Sequence, residues 1–152
     1  MAIRPVQRED VDAVRSLVER AYGPWVPVIG RRPGPMEWDY AELVAGGDVY
    51  VWEAPDVIGL LVLRVTDDGA LMVENVAVDP AAQGQGLGRS LLGFAEEQAR
   101  ERGIAELRLY THERMTSNIE LYSRLGWTEY DRVTEHGFAR VFMRKHVSPG
   151  PA

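Results

Sequence analysis

Asn75-Val76-Ala77-Val78-Asp79-Pro80-Ala81-Ala82-Gln83-Gly84-Gln85-Gly86-Leu87-Gly88-Arg89-Ser90-Leu91-Leu92 is the stretch on which the fold turns. Its first residues are apolar and β-branched, so they read as the end of a strand. Asp79-Pro80 stops that strand, because proline offers no N–H to a ladder. Three glycines then alternate with other residues, and Leu87, Leu91 and Ala95 begin a helical stripe. The order is strand, glycine-rich turn, helix. The first N–H groups of a helix have no internal partners and stand at the positive end of its dipole. Glycines let an anion approach that backbone closely and permit positive φ. The expected guest is a phosphate or pyrophosphate, held by charged hydrogen bonds of roughly 1.5–3 kcal/mol each.

The type of phosphate ligand can be narrowed. A Walker loop needs Gly-Lys-Ser/Thr where this chain has Gly88-Arg89-Ser90, and Lys145 is its only lysine. A dinucleotide fingerprint wants Gly-x-Gly-x-x-Gly, but the turn runs Gly84-x-Gly86-x-Gly88 after a mid-chain strand. Gln83-x-x-Gly86-x-Gly88 after Val76-Ala77-Val78-Asp79-Pro80 instead resembles the acyl-CoA pyrophosphate loop of the GNAT superfamily of N-acetyltransferases. A second segment, Asn118-Ile119-Glu120-Leu121-Tyr122-Ser123-Arg124-Leu125-Gly126-Trp127, is similar to that family's Asn-x-x-x-Tyr-x-x-x-Gly-aromatic element, although many relatives place the Asn earlier. The resemblance spans nearly the whole chain.

The resemblance implies acetyl-CoA as cosubstrate. The loop residues Gln83, Gly84, Gln85, Gly86, Leu87, Gly88, Arg89 and Ser90 would anchor the pyrophosphate through main-chain N–H groups. In similar proteins the strand before the loop parts from its parallel neighbour, and the pantetheine arm bonds the exposed backbone. Here that backbone would be Val76, Ala77 and Val78. Spacing alone reads Tyr122 as a core aromatic; the resemblance makes it the candidate general acid at the thioester sulfur. Asn118, one turn back, would bind pantetheine or serve as an ordinary first-turn residue. Glu74 stands where some relatives carry a catalytic glutamate, and a strand bulge would decide which way it faces. A salt-bridged carboxylate is the competing reading of Glu74, and His112 or an ordered water are the competing bases. Arg89 and Arg124 are candidates for coenzyme phosphates, with a solvated surface role the simpler reading of Arg124. A non-catalytic acyl-CoA-binding or sensing module is the alternative to an acetyltransferase.

The totals limit the choices. The chain has 152 residues, enough for one domain with a genuine core, here expected over residues 1–147. It has no cysteine, which removes disulfides, thiolate metal sites and a cysteine nucleophile, and fits a reducing, cytoplasmic setting. Transfer must then be direct, in a ternary complex. No metal is implied, because His112, His136 and His146 lack ligand spacing. No apolar run approaches a membrane span, and the N-terminal residues are no signal peptide. The net charge of −6 argues against non-specific nucleic-acid binding. Acidity suits solubility first, and a cationic amine substrate second. A small-molecule primary amine is favoured over a peptide N-terminus or a lysine side chain; a homodimer is open.

The remaining elements follow in order. Ala2–Arg4 is a short strand; Val11, Val14, Leu17, Val18 and Ala21 mark one helical face, ended by Gly23-Pro24. Residues 24–47 form an irregular segment with Trp25, Trp38 and Tyr40, and a short helix is expected within 36–44. In proteins similar to this one that segment covers the acceptor pocket; packing over the sheet fits equally. Strands at 49–53, 57–66 and 71–78 form a meander, with Asp67-Asp68-Gly69 as a hairpin turn. The helix after the loop runs to about Arg102, with Gly103 as its left-handed cap. A strand over 104–111 then pairs in parallel with 71–78 through a right-handed crossover. Ser117 and Glu120 form a capping box at the next helix start. Two strands, 128–134 and 138–145, flank a turn at 135–137, and 148–152 reads as a flexible tail. The expected fold is α+β: a mixed, mostly antiparallel sheet of about seven strands with helices on both faces.

Overall fold

Alternating apolar residues lay down a seven-stranded sheet. The computed structural model describes residues 2–148; the expected tail falls, from residue 149 onward, outside the described residues. The strands are β1 (Ile3–Pro5), β2 (Asp48–Glu53), β3 (Val57–Val65), β4 (Leu71–Val78), β5 (Glu106–His112), β6 (Thr128–Glu135) and β7 (Phe138–His146), in spatial order β1-β2-β3-β4-β5-β7-β6. Every neighbouring pair is antiparallel except β4 and β5. The helices are α1 (Val11–Tyr22), α2 (Val26–Ile29), α3 (Tyr40–Gly46), α4 (Leu87–Glu101) and α5 (Thr116–Arg124).

Two apolar layers hold the helices to the sheet. On one face Leu91, Leu92, Ala95 and Ala99 of α4 and Tyr122 of α5 pack on Leu61, Leu71, Val73, Leu107, Leu109 and Met143. On the other, Val14, Leu17 and Val18 of α1 and Tyr40 of α3 pack on Val49, Val51, Leu60 and Val62. The fully buried leucines of these layers each contribute about 1.5–3 kcal/mol. The expected α+β architecture with helices on both faces is the one observed.

One expected boundary holds and one moves. Gly23-Pro24 ends the first helix: α1 stops at Tyr22 with Gly23 as its C-cap, and a 3-10 turn over Gly23–Trp25 leads into the short α2. That segment stops in turn at Gly30, at φ +90°. Proline in the first turn of a helical segment has no N–H that needs a partner, so Pro24 also suits the turn that follows. The boundary that moves is the start of α5. It begins at Thr116 and is capped from Met115, with no side-chain cap. Ser117 therefore sits inside the first turn and forms no capping box with Glu120. The backbone carbonyl of Met115 accepts from Asn118 and Ile119 (3.1 and 3.2 Å), and its buried side chain receives a bond from the Thr111 hydroxyl.

Asp10 ties β1 to the start of α1. It is 8% exposed and accepts from both Arg4 terminal nitrogens (2.8 and 3.0 Å) and from the Gln7 N–H (2.7 Å). The Arg4 guanidinium, more than any other group, holds its carboxyl below the usual aspartate value. A depressed carboxylate stabilises the fold at pH values above the unfolded pKa of about 3.9, and the gain is lost as pH falls through the folded value. Asp10→Asn should cost about 1.5–3 kcal/mol at pH 7 by urea unfolding, and its deficit should shrink below pH 4.

Candidate active site

The site begins where two strands part. β4 and β5 pair in parallel from Leu71↔Leu107 to Val73↔Leu109 and no further. Beyond that point β4 stays paired with β3 as far as Val78↔Gly59, and β5 with β7 as far as His112↔Arg140. The facing backbone edges of 74–78 and 110–112 are thus left without strand partners. A cavity of about 550 Å³ occupies the gap and opens to both faces of the sheet. That size suits a small-molecule site.

A bulge sets the facing of Glu74. Val62 pairs with Asn75 while the next residue, Leu63, pairs with Val73, so Glu74 is the extra residue. The strand changes phase there: Leu71 and Val73 share the α4/α5 layer with Val76 and Val78, while Ala77 joins the opposite layer. Glu74 emerges in the cavity. Its Oε1 pairs with Arg64 Nε, and its Oε2 accepts from the Tyr110 hydroxyl at 3.0 Å. Burial, then the Glu74 charge, pushes the Tyr110 phenol up.

On the α4/α5 face, Asp79 caps a 3-10 turn over Pro80–Ala82 by accepting from the Ala81 N–H at 3.0 Å. Gly84 and Gly86 adopt φ +85° and +77°, which only glycine tolerates readily. Gly86 is the N-cap of α4. Gln83, Gly84, Gly86, Leu87, Gly88 and Arg89 line the cavity; Gln85 and Ser90 do not. The amides at both ends of the loop are used internally, Gln83 N–H to Pro80 O (3.4 Å) and Ser90 N–H to Gly86 O (3.0 Å). The donors that face outward therefore fall between Gly84 and Arg89, a narrower span than sequence suggested. A Cβ at Gly88 would stand 4.0 Å from both Val78 and Leu121, so a larger residue would narrow the gap.

Asn118 and Tyr122 of α5 line the same cavity, as do Val76, Ala77, Val78 and Arg124. Tyr122 is 7% exposed, with its ring 6.4 Å from that of Trp127. Burial pushes its phenol up to about 12. His112 also reaches the cavity, but its Nδ1 accepts the Arg114 N–H at 3.1 Å, and burial lowers its pKa.

The opposite mouth is closed by the irregular segment. Tyr22, Trp25, Ile29, Gly34 and Pro35 line it together with Phe138 and Arg140 of β7. The Tyr22 hydroxyl donates to Asn75 Oδ1, Asn75 Nδ2 donates to the Tyr40 hydroxyl (3.2 Å), and Tyr40 donates to Pro35 O (2.6 Å). This chain fixes the cover to β4 one residue beyond the bulge. Arg31 reinforces it by donating to His136 O (3.1 Å) and lying over the Phe138 ring (4.1 Å). Tyr22, Asn75, Tyr110 and Arg140 were not singled out by sequence; the aromatic content of 24–47 and the family resemblance were the pointers to a cover.

The parted sheet thus carries a glycine-bounded helix start on one side of its cavity and an aromatic cover on the other. Residues 11–127 match the model of the acetyltransferase (GNAT) family, and the chain belongs to that family. Among its relatives, the mycothiol acetyltransferase of Streptosporangium roseum is 50% identical over 56 residues, 37% of this chain and 17% of that one. The ribosomal protein bS18-alanine N-acetyltransferase of Escherichia coli is 42% identical over 65 residues, 43% of each chain. The matched stretches thus span less than half the length of either relative. The fold is shared with the PaiA N-acetyltransferase of Thermoplasma acidophilum, solved with coenzyme A (TM-score 0.79, 18% identity, covering 95% of this chain and 97% of that one). It is shared too with yncA of Salmonella typhimurium, solved with acetyl-CoA (TM-score 0.73, 23% identity, covering 100% and 96%). Among the described residues no helix is long and apolar enough to cross a membrane.

Proposed function

We propose that this protein transfers the acetyl group of acetyl-CoA to a primary amine on a small molecule, in the cytoplasm, within one 1–147 domain. The observation that carries the reading is the parted β4/β5 pair: one cavity joins the outward amides of α4, the Tyr122 helix and the Glu74 carboxylate. The residues fit the coenzyme. Amides from Gly84 to Arg89 would hold its pyrophosphate, the open edge of 76–78 its pantetheine amides, and Asn118 a further amide. The bound thioester supplies an activated acetyl group. Glu74 draws the amine into line and takes its proton, directly or through water. The Tyr122 hydroxyl donates to the sulfur as charge collects there. With no cysteine in the chain, no cysteinyl acyl-enzyme can form.

The test is thiol release from acetyl-CoA with a panel of small amines. Amine-dependent release is expected; tight binding without release by any amine would leave only the acyl-CoA-binding module. The pH profile adds a second check. Tyr122, with its pKa near 12, stays protonated throughout the accessible range. Deprotonation of this phenol should therefore cause no fall in kcat/KM below about pH 11.

Gly86→Val tests the anchor. A non-glycine residue at φ +77° costs about 1–2 kcal/mol, and relief of that strain turns the helix-start amides away. Since no heavy atom lies within 4 Å of a Cβ there, the effect is conformational and not a collision. Loss of one charged hydrogen bond, about 1.5–3 kcal/mol, corresponds to CoA affinity weakened about ten- to hundredfold by calorimetry.

A further inference from the structure

The charges around the acceptor mouth restrict which amine it suits. Arg140 lines the cavity with its guanidinium 4.8 Å from the centroid of Tyr110 and 5.9 Å from that of Phe138. One nitrogen, Nη1, is paired with Glu135 at 3.0 Å. Its Nη2 lies beneath the cover, 3.8 Å from where a Cβ on Gly34 would stand. Neither Nη2 nor Nε has a protein acceptor among the described residues, and the side chain is 22% exposed. A guanidinium carries five donors in a flat fork, and the side left open here is the one that grips a carboxylate with two bonds.

Nearby charge reinforces this. Arg31, which lies over the lining Phe138 ring, and Arg114, two residues after the lining His112, stand behind the lining and donate to main-chain carbonyls, His136 O and Val28 O, each at 3.1 Å. Across the cavity, the Glu74 charge is already matched by Arg64. With Glu74 paired to Arg64 and Glu135 to Arg140, neither carboxylate is left to balance a bare ammonium, while the open donors of Arg140 suit a molecule that brings its own anion. The spacing is short as well: the Tyr110 hydroxyl contacts Glu74 at 3.0 Å while the same ring lies under Arg140.

We propose that the acceptor is an amine with a carboxylate one or two carbons from its nitrogen, an amino-acid-like molecule with an apolar side chain. Arg140 binds the carboxylate through Nη2 and Nε, the amine meets Glu74, and Trp25, Ile29 and Phe138 take the side chain. This rests on the acetyl-transfer reading and narrows its substrate.

The experiment compares L-phenylalanine with L-phenylalaninamide, which keeps the shape and loses the charge, in the wild type, Arg140→Gln and Arg140→Lys. The ratio of kcat/KM for the two acceptors, normalised to the wild-type ratio, cancels their different amine basicity. The ratio should fall about ten- to hundredfold in Arg140→Gln, the loss of one charged pair, and by less in Arg140→Lys, which keeps the charge without the fork. CoA affinity should not change. An unchanged ratio, or equal loss with both acceptors, would overturn the proposal while acetyl transfer stands, as would preference for an N-terminal peptide over the free amino acid. If no amine at all releases thiol, the transfer reading fails instead. Calorimetry of L-phenylalanine on the enzyme–CoA complex then still decides Arg140: binding lost in Arg140→Gln supports it, and binding that is absent or unaffected refutes it.

Discussion

Tyr122→Phe should lower kcat about 10²–10³-fold while CoA binds as before and the fold is unchanged. Tyr122 is almost wholly buried, yet its hydroxyl has no protein partner among the described residues, so the substitution breaks no internal bond. The phenylalanine ring keeps the packing on Trp127 and the α4/α5 layer. Its removal is felt only where a ligand meets the hydroxyl. Burial raises the phenol to about 12, well above an ordinary thiol near 8.5. Complete proton transfer to the departing sulfur is therefore uphill, and the phenol acts chiefly as a hydrogen-bond donor that strengthens as charge grows. Single-turnover rates, coenzyme affinity and thermal unfolding measured together separate this from a packing role. An unchanged kcat would remove Tyr122 from the chemistry.

Glu74→Gln should reduce kcat/KM about 10²-fold near neutral pH, the lower end for a positioned acid or base. The amide keeps the shape and can still accept from Tyr110, but it has lost the charge that faces the ammonium and pairs with Arg64. A proton-accepting role has a signature that a structural role lacks. The deficit should narrow as pH rises past the pKa of the acceptor, and it should be smaller for weakly basic amines, because both arrive already deprotonated. Arg64→Gln gives the control, since it removes the ion pair and leaves the carboxylate in place. If the Glu74→Gln deficit is the same at every pH, Glu74 only holds the bulge.

Most of the sheet and one side of the site were legible from local pattern. The glycine spacing at 84–88, the stripe of Leu87, Leu91 and Ala95, and the four-residue step from Asn118 to Tyr122 are short-range signals. In the fold the glycines open α4, Leu91 and Ala95 of its stripe pack on the sheet, and Asn118 and Tyr122 line one cavity. Capping signals were weaker: Ser117 and Glu120 have box spacing, but Met115 caps the helix; the Gly23-Pro24 stop was legible. The acceptor side was largely hidden, for a physical reason. The phase change at Glu74 depends on how Val62 and Leu63 pair across the hairpin, which no property of Glu74 reveals. The Tyr22–Asn75–Tyr40 chain joins residues far apart in sequence, and Arg140 reaches the site only because β7 lies beside β5.

The extra residue in β4 also bears on how this segment can change over generations. Between Glu74 and Val78 a substitution alters one side of the sheet. Gain or loss of a single residue would exchange the two sides for every position that follows, sending Val76 and Val78 toward α1 and Asn75 away from Tyr22. Length here is effectively frozen while residue identity remains negotiable, so descendants of this chain should diverge along the strand by replacement alone and confine insertions to the cover and the outer hairpin.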